Sequence, residues 1–80
     1  MAGLVRPRRG SAHPHEVLTA REIDVVQALS EGLSNRAAAE RLGISEHTVK
    51  FHLNGVMSKF AVRTRTEAVV EAARRGLVVL

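Results

Sequence analysis

The stretch RLGISEHTVKFHLNGVMSKF, residues 41–60, decides which fold this sequence can adopt. Gly43 offers the left-handed residue that ends a helix, and the side-chain oxygen of Ser45 can cap the next one. Only Gly43 and Ile44 therefore separate a preceding helix from the cap of a helix that reaches about Phe60. So short a connection makes two helices cross steeply rather than pack as an antiparallel pair. The stretch predicts a helix-turn-helix.

The helix predicted over residues 46–60 has one apolar and one polar side. Its apolar stripe, at spacings typical of an amphipathic helix, consists of Val49, Leu53, Val56, Met57 and Phe60. Phe51 points the other way, among the polar residues His47, Asn54 and Ser58. An exposed aromatic ring on such a face indicates a contact with another molecule. DNA, a partner domain outside these residues, and the N-terminal arm are the alternatives.

Further capping signals predict three more helices. They are Thr19 with Glu22 before a helix from Ala20, Ser34 before a helix to about Leu42, and Thr64 with Glu67 before a helix ending at Gly76. No segment alternates with period two for long enough to form a strand. The predicted fold class is therefore all-α, a compact four-helix domain containing a helix-turn-helix.

Residues 1–16 differ in composition from the remainder of the chain. They hold both prolines, two of the six glycines and three arginines, and they show no sustained periodicity. We expect a disordered, basic N-terminal arm or an interdomain linker here, and one domain over residues 17–80. Eighty residues are enough for a single small core and too few for two.

The charge distribution favours a polyanionic partner. The net charge is +4 and the sequence pI is about 11.1. The segment from Lys50 to Arg65 also carries Lys59 and Arg63, and it contains no acid. The absence of cysteine excludes disulfides and thiolate zinc sites, and no apolar run is long enough to span a membrane. We expect a cytoplasmic protein with no membrane partner.

Catalysis and metal binding have little support in the sequence. His47 and His52 diverge around the predicted helix, and His13 and His15 lie in the proline-containing arm. No carboxylate pair, Ser/His/Asp set or glycine-rich phosphate loop has a suitable context. We predict that the protein is not an enzyme and has no cofactor and no metal site.

The outward side of the helix over residues 46–60 carries side chains that can read base edges. Lys50 can donate to guanine, Asn54 can pair bidentately with adenine, and Phe51 can contact the thymine methyl. These three are the predicted base contacts. Flanking positions, where phosphates run, are held by Ser45, Thr48, His52 and Lys59.

Gly55 is unusual because glycine inside a helix costs about 1 kcal/mol relative to alanine. We interpret it as room for close approach to the sugar-phosphate chain.

Over residues 18–77 the sequence resembles the LuxR-type DNA-binding domain, also called GerE or NarL/FixJ-type. The pieces that carry the resemblance are LTARE, EGLSN, RLGIS, HTVKFH and VRTRTEA, in the family's order and spacing. The resemblance implies a DNA-binding domain of a bacterial transcription regulator whose third helix enters the major groove. It places Lys50, Phe51 and Asn54 among base contacts. It implies backbone contacts for Arg36, Ser45, Thr48, His52, Lys59 and Arg65.

The resemblance also implies that the fourth helix contributes to dimerisation. Because one 80-residue monomer reads too little sequence for genomic selectivity, we expect a homodimer on an inverted repeat. The predicted dimer contacts are Ala68, Val69, Ala72 and Ala73. Family members commonly carry an upstream receiver or ligand-sensing domain, to which residues 1–16 could be the junction.

Two other functions remain open at this point. A promoter-binding domain of a sigma factor has a similar helix-turn-helix, but the capped fourth helix in VRTRTEAVVEAARRGL favours the LuxR type. A protein-interaction or dimerisation module without sequence-specific DNA binding would use the outward cluster on helix 46–60 as a partner surface.

Overall fold

The computed structural model describes residues 17–80, and the arm predicted over residues 1–16 lies outside the described residues. The helices are α1 (Ala20–Ser30), α2 (Asn35–Leu42), α3 (Glu46–Phe60) and α4 (Arg65–Arg74). Residues 17–80 contain no strand. The predicted all-α fold of four helices is confirmed.

The helices begin at the caps that the sequence predicts. The hydroxyl of Thr19 accepts a hydrogen bond from the Glu22 N–H at 3.1 Å, and the Glu22 carboxylate accepts one from the Thr19 N–H at 2.8 Å. Thr64 and Glu67 form the same reciprocal box before α4. Ser34 and Ser45 cap α2 and α3 through the backbone N–H groups of Ala37 and Thr48. These caps satisfy helix N-terminal donors that otherwise lack partners.

The turn between α2 and α3 has the predicted geometry. Gly43 is left-handed, with φ of 70°, and the N–H of Ile44 donates to the carbonyl of Ala39 at 3.0 Å. Ala38 is fully buried and Ala39 nearly so. Two such small side chains let α2 lie close to its neighbours, so α2 supports α3 from one side.

One apolar core joins all four helices. Its largest fully buried side chains are Val25, Val26, Val49 and Val56. Phe60 closes the core at the end of α3, where the guanidinium of Arg75 lies 4.3 Å from its ring centroid. This cation–π contact ties the end of α4 to the end of α3.

Helix α3 ends at Phe60, as the sequence predicts, and its C-cap is an alanine. Ala61 ends α3 in the left-handed conformation, with φ of 57°, although an L-residue pays about 1–2 kcal/mol there. The Val62 N–H compensates in part by donating to the Met57 carbonyl at 3.0 Å. Helix α4 ends at Arg74, two residues before the predicted Gly76.

Candidate nucleic-acid interface

Packing of its apolar stripe determines which side of α3 is free. Val49, Leu53, Val56 and Phe60 are all buried in the core. The side opposite is exposed, and we call it the outer face of α3; it consists of His47, Lys50, Phe51, Asn54 and Ser58. At 1.5 Å per residue this face extends about 16 Å, the length of about five base pairs. It carries no acidic side chain.

The three predicted base contacts lie together on the outer face. Lys50, Phe51 and Asn54 are all exposed, and Phe51 is 70% exposed. The Phe51 ring meets the neighbouring His52 ring edge to face, with centroids 5.5 Å apart. A hydrogen-bond donor, an amide and an oriented apolar ring are therefore available to one ligand surface.

Ion pairs leave a particular group of cations available. Six basic side chains of residues 17–80 lie within 4.0 Å of a carboxylate: Arg21, Arg36, Arg41, Lys59, Arg74 and Arg75. In the same part of the chain, Lys50, Arg63 and Arg65 form no such pair. These three belong to the acid-free segment noted in the sequence, and no carboxylate of residues 17–80 neutralises their charge.

Ser45, Thr48 and Arg65, three of the predicted backbone contacts, lie at helix starts, and His52 lies midway along α3. Ser45 is exposed, and its hydroxyl lies 2.9 Å from that of Thr48. His52 is half-buried beside Phe51. Arg65 donates to the side-chain oxygen of Asn35 and so links the start of α4 to the start of α2.

Arg36 is adjacent to this link and largely exposed. Its Nε lies 3.8 Å from the carboxylate of Glu40, with 79% of its side chain exposed. So exposed a pair contributes little and leaves Arg36 free to change partner.

Lys59 differs from the other predicted phosphate contacts. Its side chain is 17% exposed, and its ammonium lies 2.7 Å from the Glu22 carboxylate and 3.1 Å from the Val17 carbonyl. Position on a helical wheel could not show that α1 covers this side of α3. Because its charge is already satisfied inside the domain, we give Lys59 a structural role and remove it from the phosphate-contact set.

The interpretation of Gly55 as room for DNA is corrected by its surroundings. A Cβ atom at Gly55 would lie 2.5 Å from Oε2 of Glu22. The same carboxylate accepts hydrogen bonds from Thr19 and Lys59 through Oε1. The approach of α1 therefore accounts for a glycine at this position without a nucleic acid.

Two of the four predicted dimer contacts are corrected as well. Ala68 and Ala72 are fully buried in the domain's own core, where no second chain can reach them. Val69 and Ala73 are half-buried, and Val70 is 49% exposed. Val70 was missed, although its position about 200° around the helix from Ala68 would have placed it on the outside.

The buried carboxylate of Glu22 has a perturbed acidity. Burial raises the pKa of Glu22, but the hydrogen bond and charge of Lys59 and the hydrogen bonds of Thr19 outweigh burial, and the pKa is lowered. Because the folded-state pKa lies below the unfolded one, this group stabilises the fold above its unfolded pKa. That contribution is lost as the pH falls through the folded-state pKa.

We therefore expect Glu22→Gln to flatten the acid side of the stability profile. The free energy of unfolding of the wild type should fall more steeply with acidification than that of the variant. Urea titrations of both proteins at a series of acidic pH values measure this difference. Glu31, Glu67 and Glu71 also have lowered pKa values, but they are common to both proteins, so their contributions cancel in the comparison. Parallel pH profiles would contradict the assignment to Glu22.

Within residues 17–80, no three His, Asp or Glu side chains are grouped so that they could hold a metal ion. No helix in that part of the chain is long and apolar enough to cross a membrane.

A tight turn at Gly43 between α2 and α3, the packing of α3 against the core and the polar outer face of α3 define a helix-turn-helix domain of the kind found in transcription regulators. A family model described as bacterial regulatory proteins, luxR family, matches residues 16–72, and the chain belongs to this family. The resemblance drawn from the sequence is confirmed, and it is favoured over the sigma-factor alternative. Members of the family are regulators rather than enzymes, which agrees with the predicted absence of catalysis.

Curated relatives agree with this membership. The chain is 46% identical over 65 residues to the transcriptional regulatory protein DegU of Brevibacillus brevis, covering 81% of this chain and 28% of that protein. It is 47% identical over 57 residues to the nitrate/nitrite response regulator protein NarP of Escherichia coli strain K12, covering 71% and 26%. The chain thus spans less than a third of either relative.

Solved structures share the fold. The transcription factor GerE matches with a TM-score of 0.74 and 34% identity, covering 78% of this chain and 92% of that one. The response regulator ChrA of a heme-sensing two-component system matches with a TM-score of 0.75 and 46% identity, covering 84% and 33%.

Proposed function

We propose that residues 17–80 bind double-stranded DNA in a sequence-specific manner, with α3 as the recognition helix in the major groove. The observation that carries this proposal is the outer face of α3, which presents Lys50, Phe51 and Asn54 on a helix whose other side is fixed in the core. Base edges in the major groove offer partners for all three side chains. Membership of the luxR family supports the same conclusion.

The proposed mechanism separates positioning from reading. Lysine and arginine side chains displace counterions from the phosphates and hold the duplex, whatever its sequence. Lys50 and Asn54 then form hydrogen bonds to base edges, each good contact contributing about 1–3 kcal/mol of discrimination. Helix α2 supports α3 during binding through the tight turn at Gly43.

We assign the phosphate contacts according to exposure and pairing. The proposed set is Arg36, Ser45, Thr48, His52, Arg63 and Arg65. Arg63 enters this set because its exposed side chain forms no ion pair within residues 17–80. Arg63 and Arg65 flank the start of α4, where the helix dipole also favours an anion.

Arg63→Ala and Lys59→Met are expected to affect DNA binding differently. Removal of Arg63 should weaken binding to cognate and to scrambled duplexes alike. It should also reduce the slope of log K against log salt concentration by about 1. Lys59→Met removes the same charge, but its ammonium is paired with Glu22, so the slope should stay close to the wild type while the melting temperature falls. Fluorescence anisotropy over a salt series measures both slopes.

That assay is made at a temperature where both variants are folded, as checked by circular dichroism. An equal drop in the salt slope for the two variants would return Lys59 to the phosphate contacts. An unchanged slope for Arg63→Ala would remove Arg63 from them.

The proposal includes a homodimer on an inverted repeat. The contacts available to a second copy on α4 are Val70 and, more weakly, the half-buried Val69 and Ala73. An exposed valine beside the partly buried apolar residues Val62 and Val69 is the kind of group that an interface covers. Two copies would double the sequence read and so supply selectivity that one domain lacks.

We further propose that this domain is the output part of a longer cytoplasmic regulator. ChrA and NarP are response regulators, and the chain spans 33% and 26% of them. An upstream receiver or ligand-sensing domain would then supply the signal. Residues 1–16 would form the junction.

A further inference from the structure

We propose that Phe51 makes α3 a reader of the 5-methyl group of pyrimidines, so that binding responds to thymine and 5-methylcytosine alike. This inference rests on the proposed function, and it adds a chemical class of ligand: a methylated pyrimidine edge in the major groove. A site of this kind would respond to cytosine methylation of the target DNA.

The two phenylalanine rings of the chain differ in burial. The chain has two phenylalanines and no tyrosine or tryptophan. Phe60 is 7% exposed, beneath the guanidinium of Arg75, whereas Phe51 is 70% exposed. The core thus makes little use of Phe51, although burying a phenylalanine side chain typically contributes about 1.5–3 kcal/mol. Its apolar surface is available to a ligand.

The Phe51 ring can make only apolar contacts in the major groove. Phe51 can neither donate nor accept a conventional hydrogen bond, so it cannot read the polar groups of a base edge. The apolar group that the groove presents is the thymine C5-methyl. 5-Methylcytosine carries a methyl at the same ring position, and cytosine and uracil carry only hydrogen there. Phe51 therefore distinguishes bases by one methyl group.

The orientation of Phe51 within the outer face also matters. The Phe51 ring meets the His52 ring edge to face, at 5.5 Å between centroids and 72° between planes, and this contact favours one orientation of the Phe51 ring. Lys50 precedes Phe51 directly, and Asn54 lies one turn further along the same face. Their hydrogen bonds to bases would fix the position of the helix along the DNA. The methyl group that Phe51 contacts then lies within the same half-site as those bases.

The expected effect follows from the area of a single methyl group. Burying one such group changes affinity by about fourfold. Larger losses are expected for base changes that also remove a hydrogen bond, so the methyl must be varied alone.

The experiment uses the duplex that the wild-type chain selects from a randomised pool. Each thymine of a half-site is replaced singly by uracil, which removes only the methyl. We expect affinity to fall about fourfold at one position. At that position, 5-methylcytosine should bind about fourfold more tightly than cytosine. Thymines outside the half-site, replaced in the same way, serve as matched controls.

Phe51→Ala provides the test on the protein side. Because Phe51 is exposed, the variant should keep its melting temperature, and both methyl ratios should fall to about 1. The inference is overturned if no uracil replacement lowers affinity, if the half-site contains no thymine, or if the ratios persist in Phe51→Ala. Unchanged DNA affinity of that variant would instead assign Phe51 to a protein partner.

Failure of the proposed function and failure of the inference about Phe51 give different results. If no operator is enriched, the proposed function fails and the methyl inference fails with it. If an operator is enriched but shows no methyl dependence, sequence-specific binding stands and only the inference about Phe51 is overturned.

Discussion

Gly55→Ala is expected to destabilise the domain by about 2 kcal/mol, although alanine is by far the better helix former. The new Cβ would lie 2.5 Å from Oε2 of Glu22, closer than real contacts allow. A carboxylate at the end of a flexible side chain could normally move away. Glu22 cannot do so cheaply, because it is 6% exposed and holds hydrogen bonds from Thr19 and Lys59.

A double-mutant cycle isolates this contact. Glu22→Ala alone should cost about 2–3 kcal/mol, since it leaves the mostly buried Lys59 ammonium without its carboxylate and the Thr19 N–H without its acceptor. In that background the obstacle is absent, so adding Gly55→Ala should stabilise the domain by about 1 kcal/mol through helix propensity. The effect of the same substitution thus reverses sign between the two backgrounds.

Urea denaturation of the four proteins measures the cycle. A stabilising Gly55→Ala in the wild-type background would show that Glu22 moves freely, and it would restore the interpretation of Gly55 as space for DNA. Additive effects of the two substitutions would mean that the carboxylate and the glycine are not coupled.

Asn54→Ala is expected to abolish discrimination at one base pair, by about 1–3 kcal/mol, or roughly 5- to 150-fold. The Asn54 amide lies on the outer face of α3 and can form two hydrogen bonds with an adenine edge. Alanine cannot, so affinities for the four base pairs at that position should converge. Binding to scrambled DNA should change little, because Asn54 carries no charge.

Affinity for the cognate duplex and its three single-position variants measures this change. Arg63→Ala is the matched control, because it should lower the affinity for all duplexes by the same factor and leave the preference among base pairs intact. Equal losses for Asn54→Ala on cognate and scrambled DNA would remove Asn54 from the base-reading residues.

Local chemistry made most of the fold predictable. Caps such as Thr19 with Glu22 and Thr64 with Glu67 join residues three apart in sequence, so the starts of α1 and α4 could be read directly. Helix α3 also ends at Phe60 as predicted, but the left-handed cap that follows it could not be read in the same way. Ala61 takes the left-handed conformation there, and nothing in an alanine indicates that position.

Contacts between distant residues account for the errors at the site. Lys59 and Glu22 lie 37 residues apart, and a helical wheel drawn for α3 alone could not show that α1 covers Lys59. Alanines on α4 indicate close helix packing, but their pattern cannot distinguish packing within a chain from packing between chains. Ala68 and Ala72 proved to pack within the domain.

The outer face of α3 was predictable for a different reason. The strong periodicity of the core stripe, including Val49 and Val56, determines by subtraction which side chains remain outside. Phe51 was conspicuous because it breaks that periodicity. Its exposure in the structure agrees with the sequence prediction.

The most direct test of sequence-specific binding is selection of duplexes from a randomised pool by the purified chain at about physiological salt, where non-specific binding is suppressed. We expect enrichment of an inverted repeat whose half-sites lie about one helical turn apart, the spacing that suits two domains joined through α4. No enrichment, with binding that disappears as salt rises, would contradict this expectation and would leave a basic domain that holds phosphates without reading bases.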